Sequence, residues 1–381
     1  MGEKQIFMKL AFTIFRYFPY GGLQLDFARF LREGLKRGHE ISVLYDRWEG
    51  DFIPGAEYHR LECRAAANYA RAQEFERQAR EFVKAHCFDR IVGFNRMAGL
   101  DYYYAADNCF AAASRRKHPL ASRLFPRYRV FERMEAAVLG PESKTIVFCL
   151  TEAQKREYQS VYGTDDSRFR DLPPGVAPEF RLHPPEEASA IRQKVRSEFS
   201  LPENAVLLIQ VCSAFHTKGV ERVIQALASL PDVSREKLFY LVAGTETPGF
   251  RKLADRAGLH GKVIFAGPRR DVPDLLTAAD LMVHPAREEA TGTVLAEAAV
   301  CGLPAVCSAV CGYASLVKEA GGIVLPEPFA AASLVDALEI VLHLPDGLSR
   351  MRADAVSYAK HADFYHRTEH FWNLMEETAG A

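Results

Sequence analysis

The chain has 381 residues, of which 48% are hydrophobic and 25% are charged, a composition typical of a folded globular protein and not of a disordered one. The 48 Lys and Arg residues nearly balance the 49 Asp and Glu residues, so the formal net charge is −1. This balance lacks the positive charge typical of nucleic-acid-binding proteins, and we predict no nucleic-acid partner. The length favours two domains.

The apolar segment near the start of the chain contains Lys9 and Arg16 and lacks a small-residue cleavage site. We therefore expect neither a signal peptide nor a membrane span there. The eight cysteines include no Cys-x-x-Cys pair, which favours buried thiols in a reducing cytoplasm. Cys301, Cys307 and Cys311 could together ligate a metal ion, but their spacing is not that of a zinc site, and a structural role is the favoured interpretation.

Short apolar segments alternate with segments of helical periodicity along the whole chain, which predicts an α/β protein with parallel sheets. The predicted strands lie near 10–15, 40–44, 90–93, 145–150, 205–211, 238–243, 263–265, 281–284 and 305–307. The proline-rich segment 171–178 is the best candidate for a linker. We therefore predict domains at 1–177 and 178–357, with a C-terminal helix at about 358–381 that packs back on the first domain.

Both predicted domains open with a strand, a glycine turn and an amphipathic helix. The turn contains Gly21 and Gly22 in the first domain, and Lys218 and Gly219 in the second. Open α/β sheets bind ligands at the carboxyl ends of their strands. Two doubly wound, Rossmann-like domains facing a central cleft would place both sets of strand ends around one ligand.

The segment 284–304 has the most distinctive pattern and contains a strand end, a loop and a helix start. Gly292 allows close approach of the backbone to a ligand, and the helix beginning near Thr293 offers unpaired N–H groups to an anion such as a phosphate. Glu289 and Glu297 are spaced to reach a sugar and a ribose of one ligand. Alternatively, the two glutamates are a cap and a solvated charge.

The Glu289-x7-Glu297 spacing, followed by Ala298 and by Gly302-Leu303-Pro304, resembles the signature of the retaining GT-B glycosyltransferases of family 4. The resemblance implies a nucleotide sugar on the second domain and an acceptor on the first. It implies that Glu289 contacts the sugar hydroxyls, that Glu297 contacts the ribose, and that Lys218 offsets charge on the leaving diphosphate. The backbone positions implied at the diphosphate are Ala290, Thr291, Gly292, Thr293 and Val294.

Further blocks, spread over nearly the whole chain, resemble the lipopolysaccharide-core glucosyltransferases of this family. They lie at 17–24, 48–51, 93–101, 172–175 and 311–313. The resemblance implies transfer of a hexose, glucose from UDP-glucose, to an inner-core heptose at the cytoplasmic face of the inner membrane. The chain departs from the family pattern at Leu25, Cys212, His216 and Thr217. These departures leave open a donor such as a UDP-N-acetylhexosamine or a GDP-sugar, a different glycolipid acceptor, or a non-catalytic sugar-nucleotide-binding protein.

Two carboxylates of the first domain, Asp26 and Asp101, are candidates to orient or deprotonate the acceptor hydroxyl. For Asp26, a position on the helix surface near its start is an equally good interpretation. Gly21, Gly22 and Arg269 are further candidates for donor binding, although a surface cation is the commoner explanation for Arg269.

The sequence contains no Asp-x-Asp, the carboxylate pair that holds a divalent cation in the other major glycosyltransferase fold. We therefore expect metal-independent transfer, with no cofactor besides the nucleotide-sugar substrate. The segment 115–133 concentrates positive charge among Leu, Phe and Tyr, which suits an anionic membrane surface. A solvated basic helix and a site for acceptor phosphates are the alternatives.

Overall fold

The computed structural model describes residues 7–19, 21–117, 124–343 and 346–380. The chain divides into two compact units, which we call unit 1 and unit 2. Unit 1 comprises Met1–Pro173 together with His366–Ala381, and unit 2 comprises Pro174–Tyr365. Among the described helices, none combines the length and the apolar composition needed to cross a bilayer.

Unit 1 contains a seven-stranded parallel sheet with the order β3-β2-β1-β4-β5-β6-β7. Its strands are β1 (Lys9–Tyr17), β2 (Glu40–Trp48), β3 (Glu57–Arg60), β4 (Arg90–Gly93), β5 (Tyr102–Tyr104), β6 (Ile146–Cys149) and β7 (Phe169–Asp171). Its helices are α1 (Gly22–Lys36), α2 (Asn68–Ala85), α3 (Phe110–Lys117), α4 (Pro126–Leu139), α5 (Glu152–Tyr162) and the C-terminal α15 (Arg367–Gly380). Strand order reverses between β1 and β4.

Unit 2 repeats this arrangement with a six-stranded parallel sheet of order β10-β9-β8-β11-β12-β13. Its strands are β8 (Val206–Val211), β9 (Leu238–Ala243), β10 (Val263–Gly267), β11 (Leu281–His284), β12 (Ala305–Ser308) and β13 (Ile323–Leu325). Its helices are α6 (Pro185–Glu198), α7 (Val220–Ser229), α8 (Asp232–Arg235), α9 (Phe250–Arg256), α10 (Val272–Ala278), α11 (Thr293–Val300), α12 (Ala314–Glu319), α13 (Ala331–His343) and α14 (Gly347–Ala359).

Each sheet has an apolar cluster on both faces, as expected for parallel sheets covered by helices on either side. The nine predicted strands all occur, with ends that differ by a few residues at most. The predicted α/β class with two doubly wound sheets is confirmed. The strands β3, β5, β7 and β13 were not predicted, because each has only three or four residues and shows no clear periodicity.

Helix α15 packs on unit 1, where Phe371, Trp372 and Met375 are fully buried. The Phe371 ring stacks on Phe30 with centroids 4.1 Å apart, and the Trp372 indole N–H donates to the Phe30 carbonyl at 3.0 Å. These contacts attach the end of the chain to helix α1.

The boundaries of the two units differ from those predicted. The first boundary follows Pro173 rather than residue 177, because the Val176 amide donates to the Phe364 carbonyl of unit 2 and Val176 lies in its core. The return to unit 1 begins at His366 rather than near 358, since Tyr358 and Phe364 pack against the unit 2 core. The crossing back therefore involves α15 and not the preceding helix.

Candidate active site

The carboxyl ends of β8 and β11 lie side by side at the point where the strand order of unit 2 reverses. After β8 the chain passes through the turn at Lys218 and Gly219 into α7, and after β11 it passes through a loop at 285–292 into α11. In doubly wound sheets, such a reversal opens a crevice at the strand ends where ligands bind. We call the residues around this point the switch-point site.

The main polar contact of the switch-point site joins Lys218 to Glu289. The Lys218 Nζ lies 2.7 Å from Glu289 Oε2, and also 3.4 Å from the Glu288 carbonyl oxygen. The exposed fraction is 22% for the Lys218 side chain and 13% for Glu289. The structure thus brings together two predicted site residues that lie 71 positions apart in the chain.

A third group, His284, completes this contact. Its Nε2 lies 3.0 Å from Glu289 Oε2, and its side chain is buried at the end of β11. Burial by itself would raise the pKa of Glu289, but the hydrogen bond with His284 and the charge of Lys218 lower that pKa to about 2. Because the ionised carboxylate can only accept, His284 Nε2 is the donor.

One oxygen of Glu289 therefore receives both donors. The other, Oε1, has no hydrogen-bond partner within the described part of the chain. The carboxylate is held in place by its inner oxygen and presents its second oxygen as an acceptor. Such an acceptor suits hydroxyl groups of a ligand, each of which can donate one hydrogen bond.

The Lys218 turn is held tightly against the loop that follows β11. Gly219 has a φ of +74°, and a Cβ there would lie 2.1 Å from the Pro285 carbonyl oxygen, so only glycine fits. The buried Gln210 amide donates to the Lys218 carbonyl at 2.6 Å. Arg222 donates to the carbonyls of Pro285 and Ala286, each at 3.1 Å.

The same loop is held on its other side by the segment after β12. The Ser308 hydroxyl donates to the Ala286 carbonyl at 2.7 Å, and the Tyr313 amide donates to the Thr291 carbonyl at 2.8 Å. A short parallel β-bridge joins Glu289 to Cys311. The loop that carries Glu289 is therefore fixed on both sides by hydrogen bonds to its main chain, which preorganises the site.

Helix α11 begins directly after this loop. Its N-cap is Gly292, which has a φ of +84° and no side chain that could satisfy the first amides of the helix. An anion bound there would accept these N–H groups and gain from the helix dipole. Glu297 lies in the second turn of α11 and is partly exposed.

Comparisons with known proteins agree with this geometry. Residues 191–362 match the family model described as glycosyl transferases group 1. The chain is 37% identical over 374 residues to the protein named lipopolysaccharide glucosyltransferase WaaG of Escherichia coli strain K12, with 98% of each covered. The chain belongs to the group 1 glycosyltransferases.

One solved structure gives the same assignment, and a second shows the same fold. A crystal structure of WaaG, described as a glycosyltransferase involved in lipopolysaccharide biosynthesis, superposes with a TM-score of 0.87 at 38% identity, over 94% of this chain and 97% of that one. Anabaena HepE in complex with UDP-glucose superposes with a TM-score of 0.72 over 98% of this chain and 100% of that one. At 17% identity, the second likeness shows a shared fold alone. The enzyme is a glycosyltransferase with the GT-B fold.

The other predicted donor residues of this glycosyltransferase lie in two places. Ala290, Thr291, Thr293 and Val294 adjoin Glu289 and Gly292 in the switch-point site. Gly21 and Gly22 belong to unit 1, where they mark the start of α1 at the carboxyl end of β1. Cys212 and Thr217 differ from the family pattern, but the Lys218–Glu289 contact is still present. Burial raises the pKa of the Cys212 thiol to about 12.

Asp26, a predicted candidate to act on the acceptor hydroxyl, makes its contacts within unit 1. Its carboxylate is buried and accepts from the Tyr104 hydroxyl at 2.6 Å and from Arg367 Nη1 at 2.9 Å. Arg29 donates to its other oxygen at 3.2 Å. Because Asp26 lies on α1 and Arg367 lies on α15, this ion pair holds the two helices together. Removing either partner would leave an uncompensated buried charge.

Asp101 lies at the amino ends of the unit 1 strands, whereas Gly21 and Gly22 follow the carboxyl end of β1. It precedes β5, and its Oδ2 accepts from the Ile91 amide at 2.7 Å near the start of β4. Ligands bind at the carboxyl ends of parallel strands, whereas Asp101 joins two amino ends. We therefore assign it to the pairing of β4 with β5 and not to catalysis.

Arg269 is occupied by carboxylates on two elements of unit 2. Its guanidinium donates to both oxygens of Asp271 at 2.8 and 2.6 Å and to both oxygens of Glu198 at 2.6 and 3.1 Å. These hydrogen bonds raise the pKa of Arg269, and those to Asp271 have the largest effect. The side chain joins the end of α6 to the loop after β10, and its donors are taken up by these two carboxylates.

The three clustered cysteines do not form a metal centre in the described part of the chain, where no group of three or more His, Cys, Asp or Glu side chains is arranged to hold an ion. Cys301, Cys307 and Cys311 are all buried. Burial raises the pKa of the Cys301 thiol to about 12. These residues pack in and beside the core of unit 2.

His284 and Gln210 belong to the switch-point site but were not predicted from the sequence. Each is a polar residue within an otherwise apolar strand segment, and each is buried. Because a buried polar side chain requires a hydrogen-bond partner, a polar residue within an apolar strand indicates a specific contact. The partners themselves, Glu289 for His284 and the Lys218 carbonyl for Gln210, lie in the segments that follow these strands and are identified only by the structure.

The low pKa of Glu289 predicts a pH-dependent contribution to stability. A carboxyl whose pKa falls from 4.5 to about 2 on folding stabilises the protein above pH 4.5 and loses that contribution as the pH falls toward 2. Between pH 6 and pH 3, the free energy of unfolding of the wild type should fall by about 2 kcal/mol more than that of Glu289→Gln. Urea titrations at each pH measure this difference.

Glu203→Gln, which removes an exposed carboxylate of the same unit, is the control for loss of one negative charge. If Glu289→Gln and the wild type lose stability in parallel over this range, Glu289 does not have the environment described above.

Proposed function

We propose that this glycosyltransferase transfers glucose from UDP-glucose to an inner-core heptose of lipopolysaccharide, with retention of the anomeric configuration. The observation that carries the proposal is the Lys218–Glu289 contact of 2.7 Å beside the N-terminus of α11. Support for the substrates comes from the relative named lipopolysaccharide glucosyltransferase, which matches 98% of the chain at 37% identity.

In this proposal the diphosphate of the donor binds between Lys218 and the first amides of α11. Both offer positive charge, the ammonium as a full charge and the helix end as a partial one. The backbone at 290–294 lies against the same diphosphate. These groups also stabilise the charge that grows on the diphosphate as the glycosidic bond breaks.

Glu289 positions the glucose of the donor. Its Oε1 accepts hydrogen bonds from sugar hydroxyls, while Lys218 and His284 hold Oε2. Glu297, one turn into α11, is placed to accept from the ribose hydroxyls. The fixed loop therefore orients both ends of the donor without movement of its own backbone, which lowers the entropic cost of reaching the reactive geometry.

Transfer takes place on the face of the sugar from which the diphosphate leaves. The acceptor oxygen bonds to the anomeric carbon, and the bond from that carbon to the diphosphate oxygen breaks, with its electron pair staying on the oxygen. The same diphosphate oxygen takes the proton of the acceptor hydroxyl. No enzyme carboxylate is needed as a covalent nucleophile, and neutralisation by Lys218 and α11 supports a reaction without a divalent cation.

The activity also implies access to a lipid-linked acceptor, and we propose a peripheral position at the cytoplasmic face of the inner membrane. Part of the predicted basic segment 115–133, at 118–123, lies outside the described residues. In the described part, the exposed fraction is 76% for Leu124 and 62% for Phe125, and Arg127 and Arg129 nearby are also exposed. Apolar side chains beside cations suit an anionic bilayer surface.

A transfer assay in EDTA tests the proposed reaction. Purified enzyme is incubated with UDP-glucose, UDP-N-acetylglucosamine or GDP-mannose and with lipopolysaccharide truncated at its heptoses, and hexose addition is detected by mass spectrometry. We expect addition from UDP-glucose alone. Lys218→Met should lower kcat by about a hundredfold or more, because it removes a charge that stabilises the leaving group, whereas Lys252→Met, at an exposed position of the same unit, should not.

Transfer from another donor would contradict the UDP-glucose assignment, and loss of transfer in EDTA with recovery in Mg²⁺ would contradict metal independence. Binding of UDP without transfer from any donor would show a sugar-nucleotide-binding protein instead.

Sedimentation with vesicles tests the membrane surface. The wild type should bind vesicles of phosphatidylglycerol and phosphatidylethanolamine, and Leu124→Ser with Phe125→Ser should weaken binding by about tenfold because less apolar area enters the bilayer. Val233→Ser, which changes an apolar side chain of 71% exposure in unit 2, is the matched control. Equal binding by all three proteins would place the membrane contact elsewhere.

A further inference from the structure

A pocket of about 570 Å³ lies at the carboxyl edge of the unit 1 sheet, at the ends of β1, β2 and β3. Its lining includes Arg16, Arg47 and Arg60 beside the rings of Trp48 and Phe52. The carboxylates of Asp46 and Glu49 also line it. We call it the arginine pocket.

Strand register places the three arginines together. Arg16 of β1 pairs directly with Arg47 of β2, so their side chains point to the same face of the sheet. Arg60 of β3 pairs with Tyr45, two residues before Arg47, and lines the same pocket. Three neighbouring strands thus each contribute a guanidinium to one edge.

Like charges placed directly opposite each other on neighbouring strands are destabilising. The acidic neighbours offset this repulsion only weakly, because the ion pairs are long. Arg16 Nη2 lies 3.9 Å from Glu49 Oε2, and Arg47 Nε lies 3.8 Å from Asp46 Oδ2. Asp46 is also engaged elsewhere, with the Cys63 amide and the Arg71 guanidinium, each at 3.2 Å.

The Arg16 and Arg47 side chains are 53% and 54% exposed, so their guanidinium groups are accessible to a ligand. Guanidinium groups bind phosphate and carboxylate oxygens through paired, charge-assisted hydrogen bonds. The arginine cluster therefore has the charge and the donors for an anion.

The aromatic side of the pocket suits a sugar ring. The rings of Tyr17 and Trp48 stack with centroids 3.9 Å apart. The ring centroids of Phe52 and Trp48 lie 5.4 Å apart. Phe52 is 51% exposed, and Trp48 is partly exposed, although large apolar side chains are usually buried. Aromatic surface beside a few charged groups is typical of sites that bind a ligand with both an apolar face and a polar edge.

We propose that the arginine pocket binds an anionic group on the acceptor glycan, so that the enzyme selects a phosphorylated or acidic sugar acceptor. This inference rests on the proposed function, because it names a binding site for the acceptor of that reaction. Arg16 and Arg47 bind the anionic group, Arg60 adds charge, and the neighbouring sugar ring packs on Trp48 and Phe52.

Calorimetric binding of a deacylated core oligosaccharide tests the pocket without requiring turnover. The wild type should bind the phosphorylated oligosaccharide, and the double variant Arg16→Gln with Arg47→Gln should bind it at least about tenfold more weakly, because two charge-assisted contacts are lost. Arg80→Gln, at an exposed position on α2, is the control for loss of positive charge from unit 1. Binding of UDP should be the same in all three proteins.

Treatment of the oligosaccharide with phosphatase identifies the anion. If treatment removes the advantage of the wild type over the double variant, phosphate is the bound group, and if the advantage persists, the carboxylate of an acidic sugar is bound. Equal affinity of the wild type and the double variant for the untreated oligosaccharide would overturn the inference.

Transfer assays with the same proteins separate this inference from the proposed function. If glucose is transferred and the acceptor KM is the same for the wild type and the double variant, the role of the pocket is contradicted. The proposed reaction would still stand. Arginine-dependent binding of the oligosaccharide, with no transfer from UDP-glucose, would contradict the proposed reaction and leave the pocket supported.

Discussion

The contact between Lys218 and Glu289 is the constraint on which the donor site depends. A cation and a carboxylate from distant parts of the chain meet at 2.7 Å because β8 and β11 are neighbours at the reversal of strand order. Burial of Glu289 is tolerated only because Lys218 and His284 both contact it. The surrounding loop contacts, including the close approach of Gly219 to Pro285, serve to keep these three side chains in register.

The fold could be predicted from the sequence to a large extent. Apolar strand segments bounded by turns identified nine strands, and the repeated strand, glycine turn and helix indicated two doubly wound sheets. The anion site at Gly292 and the start of α11 could be predicted from a local pattern, whereas the grouping of Lys218 with Glu289 was implied by the family resemblance. The family comparison confirms the enzyme class.

The contacts that could not be predicted are those between residues far apart in the chain. Asp26 and Arg269 have charges and positions that fit a ligand site, but their partners, Arg367 and Glu198, are 341 and 71 residues away in the chain. For Asp101, the local sequence does not show whether the residue lies at the amino or the carboxyl ends of the strands. The arginine pocket was missed for the same reason, since it follows from the register of three strands.

A double-mutant cycle on Lys218 and Glu289 tests the central claim, that the two residues act as one unit on the donor. Initial rates of glucose transfer give kcat/KM for the wild type, Lys218→Met, Glu289→Gln and the double variant. Because each residue holds the other in place, we expect each single variant to lose about a hundredfold or more and the double variant to lose no more than about threefold beyond the worse single one. Losses that multiply in the double variant would show that the two residues act independently, and would contradict this account of the site.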